Sequence, residues 1–312
     1  MPSERVPLSR RPAVRSTDPR PPDARSALAV VSGAQLAAKV AELSALRPLL
    51  IVADFDGTLA PLVMDPWGAA MIPGARLALR RLAGTPGVHV ALLSGRTAAD
   101  LAGRARVGGA VYLGNHGVER ATLRRGARAE SLRPETDRAL DGYEPDAERL
   151  AVEVSRAIPE PWLIVERKGP SVAFHFRSAP DVPAARRRVL EAIDRADDAR
   201  RFVRFPGRRI VELRPPGAAG KSDALRSLVD ELRPAATLML GDDAADAEAF
   251  AVLRELREVG RTNGLAIAVH AQPEMPELVA ATADVALASP DETARFLSGL
   301  ASRVRAAREH RG

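Results

Sequence analysis

The sequence predicts an α/β protein with a Rossmann-like parallel-sheet core and an inserted α+β domain. Short apolar runs of strand length recur along the chain, such as Leu49–Ala53 and Val88–Leu93, and each ends in polar or glycine residues. Segments with helical spacing separate these runs, which is the pattern of a parallel sheet. A stretch in the middle of the chain, 119–207, instead includes the alternation of an antiparallel sheet that is exposed on one face.

Composition limits the classes of protein to which the chain can belong. Its 312 residues suffice for one large or two ordinary domains, and its hydrophobic share of 46% and charged share of 28% are those of a globular protein. The absence of cysteine excludes disulfides and thiolate metal sites. The apolar runs are too short for a transmembrane helix, and the N-terminus lacks the apolar centre of a signal peptide. We therefore expect a cytoplasmic protein without a membrane partner.

The basic residues are spread along the whole chain. A net charge of +6 raises the question of nucleic acid, but Lys and Arg are interleaved with 40 acids, and aromatic residues make up only 4%. We therefore predict no nucleic-acid partner. Of the 46 basic residues only Lys39, Lys168 and Lys221 are lysines, which suggests that a compact point charge is needed there. For Lys39, in a polar helix, chance is the simpler explanation.

The first part of the chain leads into the central strand. Residues 1–27 are rich in proline and arginine and show no period, which predicts a disordered N-terminal tail. Helical spacing over 34–46 precedes the strand Leu49–Ala53, and a second helix is predicted over 73–82. The domain limits expected from the sequence are a core at 28–118 and 208–305 and an inserted α+β lobe at 119–207.

Two carboxylates follow the central strand. Asp54 and Asp56 are one residue apart, and the alternation of an extended chain directs both to the same side. Because like charges repel, the pair favours a bound cation, and Mg²⁺ suits oxygen ligands that it shares with a phosphate. Gly57 allows a ligand to approach the backbone, and the Thr58 hydroxyl can donate to a phosphate oxygen. A calcium loop does not fit the residues that follow, and a surface turn seldom follows five buried apolar residues.

The next two strands also end in polar residues. Val88–Leu93 is followed by Ser94 at the start of a helix, where a hydroxyl and free backbone amides bind anions. For this serine a plain helix cap is the alternative. A third strand over 110–113 ends in Gly-Asn-His-Gly at 114–117.

The central lobe has a different pattern. It begins with a polar, mainly helical stretch to about residue 160, and two strands follow around a Lys-Gly-Pro turn. In the second of these strands apolar side chains alternate with polar ones, so a half-exposed sheet is expected. The further elements predicted are a helix over 182–197 and strands over 201–205 and 210–213.

Charged residues return where the core resumes. Lys221 begins a helix over 221–232, and it can balance the charge that a transferring phosphoryl group spreads over its oxygens. A strand over 237–240 ends in Asp242, Asp243 and Asp246. A surface lysine and acids that cap the next helix are the alternatives, and capping is the simpler explanation for Asp243. The last predicted elements are strands over 265–269 and 285–287 and a helix over 291–304.

Four motifs at strand or helix ends resemble, in order, those of the haloacid dehalogenase superfamily of phosphohydrolases: DFDGTL from Asp54, then Ser94, Lys221, and GDxxxD from Gly241. The resemblance implies that Asp54 is the nucleophile that forms an aspartyl phosphate and that Asp56 is the general acid and base. The residues implied to bind phosphate are Thr58, Ser94 and Lys221. The implied cofactor is Mg²⁺, bound by the Asp54 carboxylate, the Asp56 carbonyl and Asp242, with support from Asp246.

A narrower resemblance is carried by SGR at 94–96, GNHG at 114–117, ERKGPSVAFHFR at 166–177, VELRPPGAAGK at 211–221 and GDDAADAEAF at 241–250. Together these motifs are similar to the trehalose-6-phosphate phosphatase family over residues 48–290. In that family the inserted α+β lobe, here 119–207, is a cap domain that closes on the active site and recognises the disaccharide. The residues implied near the sugar are Arg96, Asn115, His116, Glu166, Lys168, Ser171, His175, Glu212 and Arg214. For Ser171 and His175, polar positions on an exposed sheet face are the alternative.

The chain departs from the family pattern at two places. Ala245 and Ala247 stand where the family commonly has Thr and Glu, and Ser222 follows Lys221 in place of Gly. The expected function is nonetheless Mg²⁺-dependent hydrolysis of trehalose 6-phosphate by a monomer, with association with a trehalose-6-phosphate synthase left open. The alternatives are a phosphatase for sucrose phosphate or a glycosyl phosphoglycerate, and a non-catalytic protein that binds a sugar phosphate.

Overall fold

A computed structural model describes residues 33–207, 209–270 and 276–309. The tail predicted for residues 1–27 lies outside the described residues. The strands are β1 (Leu49–Ala53), β2 (Val88–Leu93), β3 (Val111–Gly114), β4 (Glu119–Thr122), β5 (Glu135–Thr136), β6 (Ile164–Lys168), β7 (Ser171–His175), β8 (Val203–Pro206), β9 (Ile210–Arg214), β10 (Ala236–Gly241), β11 (Asn263–Val269) and β12 (Val285–Leu287).

Helices cover both sheets that these strands form. They are α1 (Gly33–Ala45), α2 (Pro73–Ala83), α3 (Ala98–Ala105), α4 (Glu144–Ala157), α5 (Val182–Ala196), α6 (Lys221–Leu232), α7 (Ala244–Glu258), α8 (Glu277–Thr282) and α9 (Pro290–Glu309). None of the helices within the described ranges is long and apolar enough to cross a membrane.

The core sheet has eight strands in the order β12-β11-β10-β1-β2-β3-β4-β5. All neighbours from β12 to β3 are parallel, and β4 and β5 are antiparallel additions at one edge. Alternate residues of β1 enter opposite layers: Leu49 and Ile51 pack with α2 and α9, and Leu50 and Val52 pack with α6 and α7. The buried apolar runs of the sequence are therefore strands covered on both faces, as predicted.

The second sheet is antiparallel, in the order β6-β7-β9-β8. One of its faces packs against α4 and α5 through Val172 and Phe174. The predicted fold class, a parallel core with a separate α+β unit, is confirmed. The expectation of a half-exposed sheet is wrong, because Ser171 and His175 on the polar face are only 1% and 5% exposed. This face lies against the core, to which Lys168 donates a hydrogen bond at the Gly95 carbonyl.

The pairing of strands also moves the limits of the inserted lobe. β4 and β5 belong to the core sheet, although the sequence assigns residues 119–136 to the lobe. β9 belongs to the second sheet, although the sequence assigns 210–214 to the core. By sheet membership the lobe corresponds to about 137–214 rather than 119–207, and we propose these residues as the cap.

Candidate active site

The predicted site residues converge at one edge of the core sheet. β10, β1, β2 and β3 are parallel neighbours, so their carboxyl ends meet there. Asp54 follows β1, Ser94 follows β2 and Asp242 follows β10, while Asn115 and His116 follow β3. Motifs that are far apart in the sequence thus lie together in one cluster.

Three carboxylates of this edge form a compact cluster. Asp54, Asp242 and Asp246 each offer one oxygen, and these atoms lie within 4.8 Å of one another. Lys221 is 1% exposed, and its Nζ donates to Asp54 Oδ1 and Asp246 Oδ1, both at 2.8 Å. Asp243 Oδ1 lies 3.4 Å from the same ammonium group. Three carboxylates therefore contact one buried cation, and together with the adjacent Asp242 they form what we call the acid cluster.

The acid cluster has more negative charge than Lys221 can balance. Burial raises the pKa of Asp54 to about 7, with Lys221 opposing the shift and Asp243 adding to it. Burial and the neighbouring carboxylates also raise the pKa of Asp242 and of Asp246 well above the usual range. The cluster therefore favours either protons or a further cation.

The backbone around the cluster is shaped for close approach. Gly57 has φ +84°, and a Cβ at this position would lie 2.2 Å from Asp242 Oδ2. A Cβ at Gly241 would lie 2.2 Å from Asp246 Cγ. Glycine is needed at both places because it allows the loops after β1 and β10 to bring their carboxylates together. An all-oxygen donor set of this kind fits Mg²⁺.

The side chain of Asp56 pairs with Arg96. Its two carboxylate oxygens accept from Arg96 Nε at 2.6 Å and Nη2 at 2.7 Å, and Arg96 also donates to Asp100 at 2.9 Å. Burial lowers the pKa of Arg96, but Asp56 and Asp100 raise it overall, so the guanidinium stays charged. Only the Asp56 carbonyl was predicted to bind the metal, and that role stays a prediction.

The hydroxyls predicted to bind phosphate have protein partners. Thr58 Oγ1 donates to Asp242 Oδ1 at 3.2 Å, and Ser94 Oγ accepts from the Arg96 backbone N–H at 3.2 Å. Both residues are buried at the sheet edge. Asp243 accepts from the Asp246 N–H as the N-cap of α7, which confirms the interpretation of this acid as a helix cap.

The cap contributes a second charged group of residues. Glu212 lies at its centre, 3.3 Å from Lys168 Nζ, 3.2 Å from His116 Nε2 and 2.7 Å from Arg214 Nη2. Burial alone would raise the pKa of Glu212, but Lys168 and His116 hold it well below its usual range. We call the side of the cap sheet that carries these residues the core-facing side.

Glu166 is balanced in the same way. Its Oε2 is 2.8 Å from His175 Nε2 and 3.6 Å from Lys168 Nζ. Burial acts to raise the pKa of Glu166, and the hydrogen bond from His175 and the charge of Lys168 lower it overall. The charges of this region therefore balance one another without any added ion.

Hydrogen bonding in this region is incomplete. Among the described residues, six buried side-chain atoms have no hydrogen-bond partner, and five of them belong to predicted sugar ligands: Asn115 Oδ1, His116 Nδ1, Ser171 Oγ, His175 Nδ1 and Arg214 Nε. Asn115 and His116 also have φ of +48° and +60°, which is strained for residues other than glycine. Unpaired buried groups of this kind are expected where a polar ligand binds.

Two residues of the site were missed by sequence reasoning. Arg177 follows β7, donates to the Val63 carbonyl across the cleft, and has a pKa that burial lowers and the charge of Asp56 raises in part. Glu119 of β4 accepts from Asn115 Nδ2 and from the Ala98 N–H, both at 2.6 Å. Arg177 continues the polar alternation of its strand, and that signal could have identified it.

A family model described as Trehalose-phosphatase matches residues 52–289. The chain belongs to the trehalose-phosphatase family. It is therefore a phosphatase, and the resemblance and the enzyme class predicted from the sequence are confirmed. The roles given to individual residues stay predictions.

Relatives extend the trehalose-phosphatase assignment over most of the chain. The trehalose-phosphate phosphatase of Mycobacterium tuberculosis is 33% identical over 295 residues, which is 92% of this chain and 67% of that protein. The one from Mycobacterium marinum is 35% identical over 260 residues, 80% of this chain and 61% of that protein. The chain thus spans about two thirds of the length of these relatives.

Solved structures agree on the fold. The C-terminal domain of the C. albicans trehalose-6-phosphate phosphatase has a TM-score of 0.66 at 20% identity, covering 85% of this chain and 96% of that one. A haloacid dehalogenase-like hydrolase from Bacteroides thetaiotaomicron has a TM-score of 0.52 at 17% identity, covering 82% and 98%. The core described above therefore has the same fold as these two proteins.

Proposed function

We propose that the protein hydrolyses trehalose 6-phosphate to trehalose and phosphate, with Mg²⁺, through an aspartyl phosphate on Asp54. The observation that carries the proposal is the position of Asp54. This buried carboxylate is held at 2.8 Å by a buried lysine, Lys221, at the edge where the core meets the core-facing side of the cap. The acid cluster suits a phosphate and a cation, and the core-facing side of the cap suits a polar, uncharged ligand.

In the first step, a carboxylate oxygen of Asp54 attacks phosphorus in line, and the bond from phosphorus to the sugar oxygen breaks. The leaving oxygen takes a proton from Asp56. Because both Asp56 oxygens accept from Arg96 in this structure, this role requires one of these hydrogen bonds to be given up when the substrate enters. Lys221, Thr58 and Ser94 hold the phosphoryl oxygens during transfer.

In the second step, water attacks the phosphorus of the aspartyl phosphate, and Asp56 accepts its proton. The bond between phosphorus and Asp54 breaks, which releases inorganic phosphate and restores the carboxylate. Closure of the cap excludes bulk water during transfer and so favours reaction with the substrate.

The residues proposed to hold Mg²⁺ are Asp54, Asp242 and the Asp56 carbonyl, with Asp246 in support. When bound, the ion supplies positive charge that stabilises the charge developing on the transferring phosphoryl group. Asp246 accepts from Lys221 and from the Asp242 N–H at 3.0 Å, and it thereby fixes the loop that presents Asp242.

The sugar is proposed to bind between the two lobes. The unpaired polar atoms of Asn115, His116, Ser171, His175 and Arg214 supply hydrogen bonds for hydroxyl groups. Of the other predicted ligands, Glu212 and Glu166 pair with His116, Arg214 and His175 and are themselves paired with Lys168, whereas Arg96 pairs with Asp56. A site with such groups rejects analogues that lack the matching hydroxyls.

The test is release of phosphate from trehalose 6-phosphate, sucrose 6-phosphate and glucose 6-phosphate, with and without Mg²⁺. We expect Mg²⁺-dependent release with a large preference in kcat/KM for trehalose 6-phosphate. Equal activity on all three esters would retain the chemistry and reject trehalose 6-phosphate as the substrate. Binding without release of phosphate from any ester would reject the hydrolytic mechanism.

We also propose that the protein is a cytoplasmic monomer and that a trehalose-6-phosphate synthase is its candidate protein partner. Light scattering on a sizing column would give the mass, and co-elution with the synthase would reveal the association.

A further inference from the structure

The register of the cap sheet places one aromatic residue on the core-facing side. Residues that pair across antiparallel strands point to the same face. Glu166 of β6 pairs with Ala173 of β7, which pairs with Glu212 of β9. Glu212 in turn pairs with Phe205 of β8. Since Glu212 contacts His116 of the core, Phe205 lies on the face that is turned toward the active site.

A continuous set of contacts leads from the phosphate side of the site to Phe205. Lys168 Nζ donates to the Gly95 carbonyl at 2.6 Å and lies 3.3 Å from Glu212. Glu212 accepts from Arg214, whose guanidinium carbon lies 4.3 Å from the centre of the Phe205 ring. With neighbouring strands about 4.8 Å apart, β6 and β8 are separated by roughly 14 Å. This span suits two linked pyranose rings better than one.

Phe205 and Arg214 combine the two properties that a sugar ring requires. Phe205 is 43% exposed, and it is one of the few large apolar side chains with such exposure in the described part of the chain. Arg214 is 7% exposed, and its Nε has no partner. Arg214 lies over one face of the Phe205 ring, so the opposite face is the one that can cover the C–H face of a pyranose, while the Arg214 Nε is a free donor for a sugar hydroxyl.

We propose that Phe205 and Arg214 form a platform for the outer ring of a disaccharide phosphate, and that Phe205 is a specificity-determining residue. The inference rests on the proposed function in that the ligand is a sugar phosphate. The phosphorylated ring binds next to Asp54, and the second ring reaches the edge strand β8. A monosaccharide phosphate does not reach the platform, so Phe205 selects substrates by their length.

The experiment measures kcat/KM of Phe205→Ala, Phe205→Tyr and the wild type with trehalose 6-phosphate and with p-nitrophenyl phosphate. We expect Phe205→Ala to lower kcat/KM for trehalose 6-phosphate about tenfold and to leave the small ester within twofold. Phe205→Tyr keeps the ring and should retain both activities. Leu278→Ala is the matched control, because Leu278 is a half-exposed apolar residue of α8 in the core lobe. It should change neither of the two activities.

Calorimetric binding of trehalose to the same proteins gives a readout that does not depend on hydrolysis. We expect about tenfold weaker binding by Phe205→Ala than by wild type and Phe205→Tyr. If wild type binds trehalose about tenfold more tightly than Phe205→Ala does but releases no phosphate from trehalose 6-phosphate, the proposed function fails and the platform stands. The platform would be overturned if Phe205→Ala lost equal activity on both esters. It would also be overturned if Phe205→Ala left kcat/KM unchanged and trehalose binding was unchanged or absent.

Discussion

The acid cluster of the core and the core-facing side of the cap are both rich in buried charge, but each lacks something different. In the acid cluster, three of the four carboxylates contact Lys221, and the pKa of Asp54, Asp242 and Asp246 is raised, first by burial. On the cap, the pKa of Glu166 and Glu212 is lowered, because lysine and histidine partners outweigh the effect of burial. The first region is short of positive charge, and the second is not.

The unpaired polar atoms show the opposite distribution. Most of those found among the described residues lie where the core and the cap meet, and none belongs to the acid cluster. A cation completes a region with excess negative charge, whereas a polar ligand without further charge completes a region that lacks hydrogen-bond partners. The two regions are therefore suited to the two ends of a sugar phosphate.

The largest effect is expected from Asp54→Asn, a substitution in the acid cluster. The amide keeps the shape of the side chain but cannot act as the attacking carboxylate, so kcat should fall by about 10⁴-fold or more on every ester. The measurement is phosphate release by Asp54→Asn and wild type, with circular dichroism to show that the variant is folded. Retention of full activity would exclude the covalent mechanism.

Removal of the cation should affect the core but not the cap. We expect a chelator to abolish hydrolysis and Mg²⁺ to restore it. At 100 times its dissociation constant, Mg²⁺ should stabilise the wild type against unfolding by about 2.7 kcal/mol. Asp242→Asn should lose most of this gain because it removes one ligand charge while Thr58 can still donate to the amide oxygen.

The control for that experiment is Glu212→Gln, which changes a carboxylate of the cap alone. Its stabilisation by Mg²⁺, measured by thermal or urea unfolding, should equal that of the wild type. If Asp242→Asn and Glu212→Gln responded alike to Mg²⁺, the assignment of the cation to the acid cluster would be wrong.

A substitution on the core-facing side of the cap should lower activity on the disaccharide phosphate more than activity on a small ester. Glu212→Gln weakens the contacts with Lys168, His116 and Arg214 together, and hydrogen bonds to charged groups are worth about 1.5–3 kcal/mol. We therefore expect kcat/KM for trehalose 6-phosphate to fall about 10- to 100-fold, while hydrolysis of p-nitrophenyl phosphate stays within about threefold.

Glu148→Gln is the matched control on the same lobe. Glu148 pairs with Arg167 at 2.8 Å, but both side chains are half exposed, and such surface pairs contribute about 0–1 kcal/mol. Neither substrate should be affected. A loss of activity equal to that of Glu212→Gln would mean that the cap responds to any change of charge.

The sequence predicts the acid cluster better than the cap, and the reason is physical. Parallel strands bring their carboxyl ends to one edge, so Asp54, Ser94 and Asp242 can be placed together from strand order alone. The bidentate pairing of Asp56 with Arg96 depends on where a long side chain reaches across 40 residues of sequence, and no local pattern encodes it.

The limits of the cap were harder to predict for similar reasons. Glu119–Thr122 and Glu135–Thr136 are short and polar, and their strand character comes from pairing with β3 and with each other rather than from hydrophobic alternation. Alternation in β7 did show which face is polar. It could not show that Ser171 and His175 would be covered by another lobe, because that depends on long-range packing.

The smallest effect, and the most specific to the cap, is expected from Ser171→Ala. The Ser171 hydroxyl is buried without a partner, so its removal deletes no hydrogen bond within the protein and should leave the free energy of unfolding unchanged or raise it by up to about 1 kcal/mol. If the Ser171 hydroxyl binds the sugar, KM of Ser171→Ala for trehalose 6-phosphate should rise about three- to tenfold with kcat nearly constant. Ser155→Ala, which deletes a helix hydroxyl bonded to the Ala151 carbonyl, is the matched control and should leave KM unchanged. A Ser171→Ala variant that is as active as wild type would show that an unpaired group at this interface is not by itself a mark of substrate binding.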